Sequence, residues 1–254
     1  MESYVNIQVN NGIAEVEFFH EKKNSMPGEQ LARLADAIDQ CAKDALVKVV
    51  ILRSAGEGAF CAGASFDELV AISNRQEGLA FFSGFARVIN SMRSCPKFII
   101  GRIQGKAVGG GVGLASATDY CFAHRSASVK LSELAVGIGP FVVGPAVERK
   151  VGLSGMSELA IDASSWRSAD WAQQKGLYNH VFDSHEAMDE AIGALASRLA
   201  KSSPQAMHRL KETFWHNTGH WEDLLRERAG ISGELVLSDF TRNAIAAFKA
   251  GERS

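Results

Sequence analysis

Three consecutive glycines, Gly109–Gly111, follow a buried strand predicted over residues 97–104 and lead into a short predicted helix. Because they lack Cβ atoms, they let a ligand approach the backbone and adopt dihedral angles closed to other residues. A helix that begins there presents unpaired N–H groups and the positive end of its dipole. The stretch therefore predicts either a close-packed turn or a site for an oxygen that carries developing negative charge.

A second glycine-bearing loop, residues 55–64, also lies between a predicted strand and a predicted helix. Ser65 and Glu68 have the spacing of a capping box, so the helix is expected to begin there with Glu68 reaching back to its first turn. The two junctions are 46 residues apart, counted from Ala64 to Gly110. Two converging backbone donors are the arrangement that stabilises an enolate or a tetrahedral oxyanion.

Glu133 is an acidic side chain that could move a proton. It lies in the segment Leu131–Pro140, whose other residues are apolar except for Ser132. A carboxyl among Leu131, Leu134 and neighbouring apolar residues would be partly desolvated, which raises its pKa toward the range useful for proton transfer. The alternative is a surface glutamate on a half-buried turn.

The elements that must position these residues belong to an α/β pattern. Period-two alternation predicts a hairpin over residues 4–9 and 13–18, and a helix from Pro27 to about Lys43 precedes an apolar strand over 47–52. A strand, a helix and a strand in that order imply a parallel crossover. Further strands are expected over 119–123, 128–130 and 178–182, and helices over 77–94, 184–201, 204–216, 221–231 and 235–250.

Composition limits the class of protein. The 254 residues carry a net charge of −2, which gives no electrostatic case for nucleic acid or an anionic membrane as partner. The four cysteines form no C-x-x-C pair and the seven histidines show no ligand spacing, so we expect reduced thiols and no metal site. No signal-peptide pattern or membrane-length apolar run is visible, so the cytoplasm is the expected location.

Over essentially its whole length the chain resembles the crotonase (enoyl-CoA hydratase/isomerase) family. The motifs that carry the resemblance are Ala59–Ala64, Gly105–Gly111 with Asp119, Ser132–Glu133 with Gly137–Ile138, and Arg167–Asp170 with Lys175–Leu177. The resemblance implies a ββα spiral of the ClpP/crotonase type, with an acyl-CoA-binding core over 1–195 and a C-terminal helical trimerisation region over 196–254. It also implies a homotrimer or a dimer of trimers, with a coenzyme A thioester as substrate and no other cofactor.

The resemblance also implies roles for individual residues. The oxyanion-hole amides fall on Ala64 and Gly110, and the acid/base falls on Glu133. Coenzyme A is expected along Lys22, Lys23 and Asn24 and over Ala62 and Phe66, although the two lysines fit a solvated turn equally well. The remaining substrate-contact positions are Gly109, Gly113 and Phe141, and Phe248 and Lys249 resemble a pair that reaches a neighbouring subunit's coenzyme A.

The sequence departs from the pattern of family hydratases at Gly113, where a second carboxylate is expected. Hydration needs a polarised water as well as a proton donor, whereas moving a double bond needs one base. The apolar stretch Pro140–Gly144 also resembles the family's Δ3-Δ2 isomerases. Isomerisation is therefore favoured. The alternatives that remain open within acyl-CoA chemistry are hydration of an enoyl-CoA or a methylglutaconyl-type thioester and decarboxylation of a malonyl-type thioester. The alternatives from other classes are a Clp-like serine hydrolase and an RNA-binding protein.

Overall fold

The architecture comes from a computed structural model that describes residues 2–251, with side chains described up to residue 247. The expectation for Phe248 and Lys249 therefore lies outside the described side chains. Eight strands are present in this part of the chain: β1 (Tyr4–Asn10), β2 (Ile13–Phe19), β3 (Val49–Ser54), β4 (Phe98–Ile103), β5 (Ala107–Val108), β6 (Tyr120–His124), β7 (Val129–Lys130) and β8 (His180–Phe182).

Ten helices cover most of the remaining chain between residues 2 and 251. They are α1 (Gly28–Lys43), α2 (Phe66–Ala71), α3 (Arg75–Ser94), α4 (Gly110–Ala117), α5 (Gly144–Ile161), α6 (Ala169–Gln174), α7 (His185–Ala200), α8 (Pro204–Phe214), α9 (Trp221–Leu235) and α10 (Asp239–Gly251). A 3₁₀ turn, Leu134–Val136, follows Glu133.

The main sheet has the strand order β1-β2-β3-β4-β6-β8, and β5 pairs with β7 in a small second sheet. The β1–β2 hairpin is antiparallel as predicted, and every later pair is parallel. Strand β3 begins two residues later than predicted, because Val47 is buried before the strand starts and Lys48 N–H donates to the carbonyl of Gly12. Since β3 and β4 are parallel neighbours, the loops that follow them leave the same edge of the sheet.

Asp119 ties the sheet to the C-terminal helices. Its carboxylate accepts hydrogen bonds from the N–H of Ile99 at 2.8 Å and from Nε1 of Trp215 at 2.7 Å. Lys211, which is 2% exposed, forms an ion pair with it at 2.8 Å and donates to the carbonyls of Met92 and Lys97. These contacts give Asp119 a structural role between the sheet and the C-terminal helices.

Helix α9 extends four residues past its predicted end because Gly233 continues the helix where it crosses α3. A Cβ built on Gly78 would lie 2.6 Å from the carbonyl oxygen of Gly233, so the two helix backbones touch. Trp221, Leu225 and Ala229 of α9 belong to the same hydrophobic core as the sheet. Residues on both sides of the expected boundary at 195/196 therefore share one core.

Substituting Gly78→Ala is expected to lower the free energy of unfolding by about 1–3 kcal/mol, because the methyl group has no space at the α3–α9 crossing. The matched control is Gly193→Ala in α7, where a Cβ would meet nothing within 4 Å. That change is expected to raise stability by about 0.4–1 kcal/mol. Urea unfolding of both variants is the measurement, and equal effects at the two positions would contradict the crossing.

Candidate active site

The loop that follows β3 runs beside β5 and β5 leads into α4. Val108 N–H donates to the carbonyl of Cys61 at 3.0 Å, and Cys61 N–H donates to the carbonyl of Lys106 at 3.3 Å. These bonds make residues around Cys61 a short extension of the second sheet. The two glycine-bearing junctions predicted from sequence are therefore adjacent in space.

The close approach of the junctions depends on Gly63 and Gly109, whose φ angles are +88° and +51°. A Cβ built on Gly63 would lie 2.8 Å from the carbonyl oxygen of Val108 and 3.6 Å from the amide nitrogen of Gly110. No side chain fits in that space, and L residues rarely adopt these φ angles. Glycine at 63 is therefore what lets the first loop lie against the start of α4.

The amides of Ala64 and Gly110 both belong to the wall of one cavity. Within residues 2–251, neither amide donates a hydrogen bond to a protein acceptor. Gly110 is the first residue of α4, where N–H groups have no partner inside the helix. The two junctions thus each bring one backbone N–H group without a described acceptor to this cavity.

Glu133 stands next to these donors. Its backbone carbonyl accepts the N–H of Ile138 at 2.9 Å, and Gly109 N–H donates to the carbonyl of Lys130 at 2.9 Å, which links β7 to the glycine run. A Cβ at Gly109 would lie 2.9 Å from Oε1 of Glu133, so the carboxyl rests on bare backbone. Its Oε2 is buried with no hydrogen-bond partner among the described residues.

Burial raises the pKa of Glu133 from its ordinary value of 4.5 to about 7, against a smaller lowering by a backbone hydrogen bond. This confirms the desolvation expected from sequence, but its source differs. Leu134 and Ala135 are exposed because the 3₁₀ turn carries them away from the carboxyl. The burial comes instead from Gly109 and from the cavity wall around Glu133.

The cavity is largely apolar. Among the described residues that line it, Glu133 is the only titratable side chain. The wall contains Ala62, Gly63, Ala64, Phe66, Leu69, Phe82, Phe85, Val108, Gly109, Gly110, Ser132, Glu133, Val136, Ile138, Gly139, Pro140, Phe141, Val142, Val143 and Ser232. Seven of the predicted site residues (Glu133, Ala62, Ala64, Phe66, Gly109, Gly110 and Phe141) are therefore brought together around one space.

Gly113 is not part of that wall. It is buried inside α4, and a Cβ at this position would lie 2.5 Å from Cγ1 and 2.8 Å from Cβ of Val143. Position 113 therefore has no room for a longer side chain while Val143 is present.

The Lys22–Asn24 loop lies against the first junction without lining the cavity. Ala62 N–H donates to the carbonyl of Lys23 at 3.1 Å, and Lys22 pairs with Asp67 on the surface. Asn24 is 4% exposed, and its amide donates to the carbonyls of Ala55 and Ala59 at 3.0 Å each. The side chain of Asn24 is thus engaged in holding the loop, whereas the lysines remain at the surface beside Ala62.

Phe82, Phe85 and Ser232 are among the wall residues that were not predicted from sequence. Phe85 of α3 packs on the glycine run so closely that a Cβ at Gly110 would lie 2.1 Å from its Cε1 atom. Phe82 lines the same face, and Ser232 comes from α9. Phenylalanines at helical spacing look like ordinary core residues, and Ser232 is 99 residues beyond Glu133, so no local pattern marks them.

Comparison with known proteins places this chain in a family. The family model described as enoyl-CoA hydratase/isomerase matches residues 8–236. The chain belongs to the enoyl-CoA hydratase/isomerase family. It is 30% identical over 247 residues, 96% of this chain and 95% of the relative, to a probable enoyl-CoA hydratase of Bacillus subtilis (strain 168). It is 34% identical over 195 residues, 74% of this chain and 56% of the relative, to human mitochondrial methylglutaconyl-CoA hydratase.

Solved structures of the enoyl-CoA hydratase/isomerase family share the architecture. A putative enoyl-CoA hydratase/isomerase from Acinetobacter baumannii superposes with a TM-score of 0.85 at 23% identity, over 98% of this chain and 99% of that chain. An enoyl-CoA hydratase/carnithine racemase from Magnetospirillum magneticum gives a TM-score of 0.77 at 26% identity, over 82% of this chain and 79% of that chain. These similarities confirm the crotonase-like α/β fold expected from the motifs.

Two further features of residues 2–251 bear on the class of protein. None of their helices combines the length and the apolar character needed to cross a bilayer. No cluster of three or more histidine, cysteine, aspartate or glutamate side chains among them has the arrangement of a metal site.

Replacing Glu133 by glutamine should change the pH dependence of stability. Because the folded-state pKa of about 7 exceeds the ordinary value of 4.5, the folded protein keeps a proton that the unfolded chain releases between these pH values. The wild type therefore loses stability as pH rises through this window, and Glu133→Gln does not. The variant should gain about 2–3 kcal/mol over the wild type between pH 5 and pH 8.

Urea unfolding at several pH values is the measurement. The exposed carboxylate of Glu57 provides the matched control, and Glu57→Gln should show no such pH-dependent gain. A constant stability difference between Glu133→Gln and the wild type across the window would contradict a buried, unpaired carboxyl.

Proposed function

We propose that the protein transfers a proton on an enoyl-CoA thioester through an enolate, and that it moves a double bond in preference to hydrating one. The observation that carries the proposal is that Glu133 is the single carboxyl among the described residues of the cavity wall. Glu133 lies beside two unpaired backbone amides, and Val143 occupies the space next to Gly113 where a second carboxylate would have to stand.

In the proposed reaction the amides of Ala64 and Gly110 donate hydrogen bonds to the thioester oxygen. The Glu133 carboxylate removes a proton from the α-carbon of a 3-enoyl-CoA, and the electron pair of that C–H bond becomes the enolate. The protonated Glu133 then returns a proton to the γ-carbon, and the double bond shifts to the 2,3-position. Donors of this kind, aimed at developing charge in a water-poor site, contribute about 10²–10³ in rate each.

The pKa of Glu133 supports this role. A pKa of about 7 keeps a useful fraction of the group ionised near neutral pH and makes its protonated form a competent acid for the return step. One group can then serve both half-reactions. Hydration would also require a second group to hold and polarise water, and the described wall offers no other carboxylate.

The cavity wall also favours a neutral acyl group. No lysine, arginine or histidine is among its described residues, so a free carboxylate on the acyl chain would be buried without a cation. This argues against methylglutaconyl-type and malonyl-type substrates. Phe141 and Gly109 would contact the acyl group from the wall.

Coenzyme A is proposed to lie outside the cavity along the Lys22–Asn24 loop, with Lys22 and Lys23 at the surface and Ala62 and Phe66 beneath. The hydrogen bond between Ala62 and Lys23 of that loop supports this position for coenzyme A. We also propose that the protein forms a homotrimer or a dimer of trimers through residues 196–254. Its proposed location is the cytoplasm.

Hydration of a neutral enoyl-CoA is the second candidate. It is favoured by the names of relatives, which include a probable enoyl-CoA hydratase in Bacillus subtilis and a short-chain-enoyl-CoA hydratase in Clostridium acetobutylicum. The classes outside acyl-CoA chemistry have less support. Ser132 and Ser232 have no histidine beside them in the described wall. For RNA binding, the segment from Glu29 to Lys43 carries two basic against three acidic side chains, and its Arg33 pairs with Glu29.

Purified protein should convert 3-enoyl-CoA to 2-enoyl-CoA faster than it hydrates 2-enoyl-CoA. Spectrophotometric assay of the two thioesters at equal concentration measures the preference. Glu133→Gln should lower the isomerisation rate by about 10²–10⁴, because the base is lost while the shape of the side chain is kept. Robust hydration of 2-enoyl-CoA, or full activity of Glu133→Gln, would overturn the proposal.

Making room at position 113 should shift the balance of activities. Gly113→Glu alone is expected to destabilise the fold, because its side chain would overlap Val143. The double change Gly113→Glu/Val143→Gly should relieve the overlap and raise the ratio of hydration to isomerisation about 10²-fold over Val143→Gly alone. An unchanged ratio in the folded double variant would show that a second carboxylate is not what separates the two reactions.

A further inference from the structure

Ser232 is a buried hydroxyl that the proposed proton transfer does not use. It is 1% exposed and forms part of the cavity wall. Its side chain makes no hydrogen bond with any residue in the described range 2–251. Because buried hydroxyl groups nearly always have a partner, a hydroxyl on a ligand cavity without one is a candidate ligand contact.

The position of Ser232 is fixed by the helix that carries it. Ala229, one turn before it in α9, and Val236, the residue at the C-terminal cap of that helix, are both buried in the core. The next residue, Gly233, sits at the backbone contact with Gly78 of α3, where a Cβ on Gly233 would lie 2.7 Å from the carbonyl carbon of Gly78. This crossing holds Ser232 at the cavity beside the α3 residues Phe82 and Phe85.

The rest of the wall shows what the hydroxyl could recognise. Ser132 and Glu133 are adjacent on the segment that precedes the 3₁₀ turn, and Ser232 is the one polar side chain that the described helices α3 and α9 contribute. The other wall residues from these two helices, Phe82 and Phe85, are apolar. No described wall residue carries a positive charge, so an anionic group would be buried unpaired there.

We propose that the Ser232 hydroxyl donates a hydrogen bond to a neutral oxygen on the acyl group, a ketone or a hydroxyl, so that the site prefers oxygen-bearing acyl-CoA thioesters to plain hydrocarbon ones. The proposal rests on the proposed acyl-CoA site and names its substrate class. A site built to hydrogen-bond a substrate oxygen discriminates against the analogue that lacks it, because the protein group is then left unpaired.

Binding of saturated thioesters tests the preference without any turnover. Isothermal titration calorimetry with hexanoyl-CoA, 4-oxohexanoyl-CoA and 5-oxohexanoyl-CoA should show at least one oxo compound binding about 3–10-fold more tightly than hexanoyl-CoA to the wild type. Ser232→Ala should remove that preference, because it weakens binding of the oxo compound and leaves no unpaired hydroxyl beside hexanoyl-CoA. The matched control is Ser91→Ala, a buried serine of α3 outside the cavity wall, which should keep the preference.

Equal affinity of the wild type for all three thioesters, or a preference that survives in Ser232→Ala, would overturn the role of Ser232 and leave the proposed proton transfer standing. Failure of every thioester to bind would overturn the acyl-CoA site itself. An equal loss of affinity for all three in Ser232→Ala, with a lowered melting temperature, would assign Ser232 to packing and would also overturn the proposal.

Discussion

The contact between two loop backbones is the constraint on which the site depends. The loop after β3 and the turn before α4 approach until a single Cβ at Gly63 would overlap the carbonyl of Val108. As a result Ala64 and Gly110 line one cavity, and neither of their N–H groups donates to an acceptor among residues 2–251. Parallel pairing of β3 with β4 brings the two loops to the same edge of the sheet. The backbone hydrogen bonds between Cys61 and the β5 segment then fix the position of one loop against the other.

The apolar wall has opposite effects on the two parts of the proposed chemistry, which are stabilisation of the oxyanion and ionisation of the Glu133 carboxyl. Low local polarity strengthens hydrogen bonds from backbone amides to an oxyanion, because no water competes for them. The same environment opposes ionisation of Glu133 and raises its pKa to about 7. In the proposed reaction, this raised pKa lets one group act as both acid and base, and its cost is some stability of the folded protein at neutral pH. Phe85 is part of this apolar wall and covers the glycine run from α3.

Much of this site was predictable from sequence because its signals are local. Glycine runs next to predicted strands gave the two junctions, and a carboxylate in an apolar segment gave Glu133. What could not be predicted comes from contacts between distant segments. Val143 fills the space beside Gly113, and Ser232 reaches the cavity only because Gly78 and Gly233 let two helices touch. Glu68 shows the same limit: its carboxylate accepts the N–H of Gly28 in another helix instead of closing a capping box.

The most direct test of a single shuttling carboxyl is to follow hydrogen from the α-carbon to the γ-carbon. A 3-enoyl-CoA carrying deuterium at its α-carbon would be converted in ordinary water, and NMR would locate deuterium in the 2-enoyl product. Transfer by Glu133 in a water-poor cavity predicts that a measurable fraction of product carries deuterium at the γ-carbon. Complete replacement by solvent hydrogen at that carbon on every turnover would contradict the account.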